Sequence, residues 1–133
     1  MIGGVETVPK IGATPFGYRV AAQFGLGVVA PRPALVPLAF DADFVASLGT
    51  LAGVSLDCTV SCGSGRFREA LLFTHRGLSG PAILQISSYW QPGSAIEIDL
   101  LPGRDATEWL LAQRDARHRL DTLLAEVWPK RLA

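Results

Sequence analysis

The stretch Phe73-Thr74-His75-Arg76-Gly77-Leu78-Ser79-Gly80-Pro81-Ala82-Ile83-Leu84-Gln85-Ile86-Ser87-Ser88-Tyr89 changes its periodicity within a few residues. Leu71-Leu72-Phe73 closes a run of apolar side chains suited to a strand. Gly77 and Gly80 supply the backbone freedom for a sharp turn. Ser79 or Gly80 can cap a helix that takes Pro81 in its first turn, where the missing N–H costs nothing. Ala82, Ile83 and Ile86, with Tyr89 or Trp90 beyond, recur at helical spacing. The expectation is strand, glycine turn, helix.

Such a turn aims free N–H groups at one point, where an anion or polar ligand can sit. It can equally be a tight connector. The order of residues is neither that of a P-loop nor of a dinucleotide fingerprint. His75 is one of two histidines. It stands as a candidate proton donor or a hydrogen-bonded structural residue, and the residue types leave both open.

Upstream, Thr14 as N-cap and Pro15 at the first position start a helix whose Phe16, Val20 and Phe24 share a face; Gly25 suits its C-terminal end. An extended segment follows from Gly27 to Phe40, with Pro37 confined to an edge or bulge. Asp41 to Leu51 is ambiguous, with Phe44, Leu48 and Leu51 at the spacing of a short helical turn. Val54, Leu56, Cys58 and Val60 alternate with polar residues as one strand, Gly63-Ser64-Gly65 marks a hairpin, and Arg66 to Phe73 returns as its partner.

Downstream, Ala95 to Leu101 alternates again. Asp105 with Glu108 then opens a helix running to about Arg117. Leu120, Leu123, Leu124, Val127 and Trp128 form a second helical stripe that Pro129 interrupts. The reading is an α+β fold: a small antiparallel β-barrel or sandwich with an inserted helix, followed by the start of a helical bundle. Trp109, Leu120, Leu124 and Trp128 are expected to be only partly covered, which makes self-association through this face an expectation.

The totals narrow the classes. At 49% apolar and 18% charged residues, the 133-residue chain can build a core and disorder is not expected. Twelve basic residues balance twelve acidic ones, so nucleic acid and anionic membranes are not expected partners. With no spanning stretch and no secretory leader pattern, a cytoplasmic location is expected. Cys58 and Cys62 are too far apart in a straight strand to pair, and without a nearby histidine they make no zinc site. They are expected as buried or half-buried thiols.

Four segments, 7–18 (Thr-Val-Pro-Lys-Ile-Gly-Ala-Thr-Pro-Phe-Gly-Tyr), 31–38 (Pro-Arg-Pro-Ala-Leu-Val-Pro-Leu), 51–56 (Leu-Ala-Gly-Val-Ser-Leu) and 71–90, resemble bacterial predicted NAD(P)/FAD-dependent oxidoreductases, a flavoprotein group that includes aminoacetone-oxidase-like enzymes. In that group a barrel-plus-helical unit is inserted into an FAD-binding domain. The resemblance implies three parts: residues 1–27 as the edge of the flavin domain with one helix, 28–103 as the barrel insert, and 104–133 as a truncated helical subdomain. It further implies that Gly3, Gly4, Thr14, Gly17, Thr74, Gly77, Ser79 and Gly80 approach FAD in the full-length parent, with His75 as the catalytic candidate. Pro15 stands where the group usually has glycine, which removes one N–H from that approach.

No dinucleotide fingerprint lies within these residues, so the chain alone is expected to bind no FAD. Nicotinamide preference is not legible. The function expected is an insert that covers the flavin and shapes the substrate pocket, inactive alone, with the flavin-binding domain of the same parent chain as its partner. The alternatives are a protein- or RNA-binding module of a flavoenzyme with a macromolecular substrate, and a purely structural or dimerising insert.

Overall fold

A computed structural model describes residues 14–114 and 118–133. They fall into two compact units, divided between Pro33 and Ala34.

The first unit holds helix α1, Phe16–Gln23. Helical backbone begins after Pro15, and no side-chain hydrogen bond caps it, so Thr14 does not act as the expected cap. Its end is closed by a Schellman pair: the Gly25 N–H donates to the Ala22 carbonyl at 3.0 Å and the Leu26 N–H to that of Ala21 at 2.9 Å. Gly25 has φ +71°, as that motif requires. The helix has about two turns and buries no residue; Phe24 is 76% exposed.

The second unit is built on a curled antiparallel sheet of five strands, a half-barrel, with several helices. Its strands are β1 (Leu38–Ala39), β2 (Ser55–Cys62), β3 (Gly65–Thr74), β4 (Gly77–Ser79) and β5 (Glu97–Asp99), in spatial order β1-β4-β3-β2-β5. The long pair β2–β3 runs in register from Ser55 opposite Leu72 to Cys62 opposite Gly65, around the expected hairpin turn. Alternation puts Cys58, Val60 and Cys62 in the core. The extended run before Phe40 shrinks to two paired residues because Pro37 cannot donate to a ladder.

Helix α2 (Ala42–Leu48) resolves the ambiguous segment, with the Asp41 carboxylate accepting from the Phe44 N–H at 2.9 Å and a 3-10 turn over Gly49–Leu51 continuing it. Helix α3 (Pro81–Ile86) starts at Gly80 and lays Ala82, Ile83 and Ile86 against β3 and β2. Each isoleucine is fully buried, worth about 2–3 kcal/mol apiece in removed apolar surface. The helical end comprises α4 (Ala106–Ala112), capped by Asp105, and α5 (Leu120–Leu124). Two side chains tie that end to the sheet unit. The Trp128 indole N–H donates to the Leu100 carbonyl at 2.7 Å, and Arg131 donates to the Thr50 and Ala52 carbonyls at 2.9 and 3.2 Å.

Candidate functional site

The turn after β3 corrects the strand–turn–helix expectation in one respect. Gly77–Ser79 is not open loop but a short strand lying between β1 and β3, with a paired neighbour on each side. Its backbone donors therefore serve the sheet and do not converge on a ligand. Gly77 adopts φ +147°, and a Cβ there would collide with the Leu38 carbonyl. Gly80 adopts φ +91°, and a Cβ there would lie 2.7 Å from the Ala70 carbonyl oxygen and 2.9 Å from the Leu72 nitrogen. Both glycines have a structural reason to be glycine that needs no cofactor.

Thr74 is likewise engaged locally. Its hydroxyl donates to the Gly77 carbonyl at 3.1 Å and accepts from the Arg76 N–H at 3.2 Å, closing the two-residue turn. Ser79 is half-buried in β4. Gly17 lies in α1 and Thr14 just before it, in the other unit; Gly3 and Gly4 are outside the described residues.

His75 and Arg76 differ from their neighbours. Both are exposed, and neither side chain forms a hydrogen bond or ion pair among the described residues. His75 stands with Phe73 and Thr74 on one wall of a cavity of about 350 Å³. The opposite wall is Val45, Ala46 and Leu48 of α2 with Gly49, Leu51 and Ala52 of the 3-10 turn and the residue after it. The result is a mostly apolar recess with a free imidazole at its wall and a guanidinium on the adjacent residue. Sequence reading missed the second wall, although Asp41 as a cap and the Phe44, Leu48, Leu51 spacing carried the signal.

The thiols stay out of this chemistry. Cys58 and Cys62 are buried and unpaired. Burial, helped by the charges of Asp57 and Asp99, pushes the Cys58 thiol up to about 11, so it is neutral and a poor nucleophile at ordinary pH. Among the described residues no His, Cys, Asp and Glu cluster could hold a metal ion, and no helix is long and apolar enough to cross a membrane.

An antiparallel half-barrel followed by short helices, with an apolar recess at the sheet's end, defines a barrel-plus-helix domain. Residues 32–133 match the family described as the HI0933-like protein barrel and H2TH domain, and the chain belongs to that family, a flavoprotein-family domain. The chain is 50% identical to a ribosomal RNA dihydrouridine synthase of Escherichia coli (strain K12) and 46% identical to that of Haemophilus influenzae. Each match covers 98% of this chain and 33% of the relative. The chain thus spans about a third of the length of these relatives. Neither relative's name bears out the aminoacetone-oxidase-like label of the resemblance.

Proposed function

We propose that this chain is the barrel-and-helix domain of a flavin-dependent oxidoreductase acting on ribosomal RNA, and that its Thr74–Arg76 turn faces the reaction compartment. The observation that carries the reading is the recess with its unpaired His75, in a chain 50% identical to an enzyme named for making dihydrouridine in RNA. This joins the flavoenzyme insert to the macromolecular-substrate alternative. Net neutrality weighs little against RNA, because it averages over an uneven chain. From Cys58 to Ile96 the only carboxylate is Glu69, against Arg66, Arg68 and Arg76.

Among the described residues, Gly77–Ser79 is a strand paired on both sides and offers FAD no open phosphate loop. What the chain offers a flavin held by a flavin-binding domain of the same parent is a cover: the recess and its rim. Reduced flavin, when bound, supplies the hydride needed to saturate one uracil carbon–carbon double bond. The second carbon then needs a proton. We assign that proton to His75, which is exposed and has no partner among the described residues competing for its ring nitrogens, with the apolar wall of α2 lining the same recess.

The test is His75→Ala in the full-length protein. Flavin reduction by a nicotinamide donor and reoxidation by ribosomal RNA are followed separately, together with thermal unfolding. The expected outcome is reoxidation slowed about 100-fold or more, with reduction and melting temperature unchanged. Loss of stability with unaltered flavin kinetics would make the turn structural only.

A further inference from the structure

One wall of the His75 recess is weakly held by its own packing. Helix α2, which gives Val45, Ala46 and Leu48 to that wall, buries no residue. Leu48 and Leu51 are only partly buried against the core. Beyond the helix, Thr50, Leu51 and Ala52 are strung between two glycines in the left-handed region, Gly49 at φ +51° and Gly53 at φ +85°. Glycine turns freely at such positions, so the three residues between them need an outside hold. Main chain supplies it at one end. The Gly53 N–H donates to the Phe73 carbonyl at 2.8 Å, and the Phe73 N–H to the Val54 carbonyl at 2.9 Å. These bonds tie the far end of the segment to β3, the opposite wall.

The second hold is a side chain from the helical end. Arg131 Nη1 donates to both the Thr50 and the Ala52 carbonyl, from 81 and 79 residues further along the chain. Its Nη2 would stand 3.8 Å from a Cβ built on Gly53. The guanidinium forms no ion pair among the described residues, so these carbonyls are its partners. Carbonyls at the end of a helical stretch lack donors of their own and carry the negative end of its dipole, which suits a cation. The base of this arm is itself fixed. Leu132 packs against the core, its N–H donates to the Pro129 carbonyl at 2.7 Å, and the Trp128 indole is held on Leu100. We infer that Arg131 is a positioning residue for the reaction at the recess. By bridging Thr50 and Ala52 it holds the Leu51–Ala52 part of the wall in place across from His75, and it makes the helical end part of the site. It touches no reacting atom. The inference rests on the reading that the recess faces the reaction compartment.

The experiment compares full-length wild type with Arg131→Met, which keeps the apolar stem and removes the donors, and with Arg131→Lys. Reoxidation of the reduced flavin by ribosomal RNA is measured over a range of RNA concentrations, well below the melting temperature. Amide hydrogen exchange is followed in parallel. A displaced wall predicts kcat for reoxidation about 10-fold lower in Arg131→Met with KM for RNA unchanged. Exchange should quicken in the peptide covering 49–54 and stay as in wild type over 55–72. Arg131→Lys keeps the charge but not the geometry for two carbonyls, and should fall between, about 3-fold slow. Wild-type kcat in a folded Arg131→Met protein would overturn the positioning role and leave the RNA reading standing, as would exchange that quickens equally in both peptides. Should Arg131→Met not fold, Arg131→Lys decides: a lower kcat at unchanged KM supports the role, and a wild-type kcat overturns it. A wild type whose flavin ribosomal RNA does not reoxidise would overturn the RNA reading, and the role of Arg131 in that reaction with it.

Discussion

The segment from Thr74 to Ile86 and the helical end from Asp105 to Ala133 are held in place by different physics. In the first, main chain approaches main chain so closely that two glycines are required, and α3 buries three apolar residues beneath the sheet. In the second, two short helices leave Leu111 and Leu120 each 59% exposed, and attachment runs through the buried Leu123, Leu132 against the core, and single side chains donating to carbonyls. One region is fixed by fit and the other by a few anchors. A side chain added to the first should therefore cost more than an anchor removed from the second.

The largest effect should come from Gly77→Ala. It combines a φ of +147° with a collision at the Leu38 carbonyl, and a loss of about 3–5 kcal/mol by denaturant unfolding is expected. A loss below about 1 kcal/mol would break the claim that fit governs this region. Trp128→Phe comes next. It removes the 2.7 Å hydrogen bond to Leu100 but keeps a ring in place, and should cost about 1–2 kcal/mol. Leu120→Glu should be smallest, within about 0.5 kcal/mol, because that side chain already faces solvent. If the helical end pairs with a second copy, as its exposed leucines favour, the same variant should shift sedimentation toward monomer. Unchanged sedimentation would remove self-association from this face.

What the sequence revealed follows the same division. The β2–β3 hairpin was readable because alternation at Cys58, Val60 and Cys62 and the Gly63-Ser64-Gly65 turn are local signals. Strand β4 was not, since its glycine was read as a turn residue. Its pairing with β1 comes from the absence of a side chain at Gly77, and the partner that exploits it lies about 40 residues away. The free side chains of the candidate site were visible as types at His75 and Arg76. The recess was not, because its far wall belongs to a helix whose one clear signal is the Asp41 cap. Thr74 and Ser79 show the converse. Hydroxyls near glycines suggest a ligand in sequence, whereas the Thr74 hydroxyl closes its own turn.

The outer strands of the sheet carry a further consequence. β1 is two residues long and β5 three, and Glu97 and Asp99 are exposed on β5. Edges this short present few unpaired N–H and carbonyl groups, and two carboxylates repel a like strand seeking to join. During synthesis, when unpacked segments crowd together, such a sheet is a poor template for foreign strands. It can finish folding beside other β-structure without being extended by it.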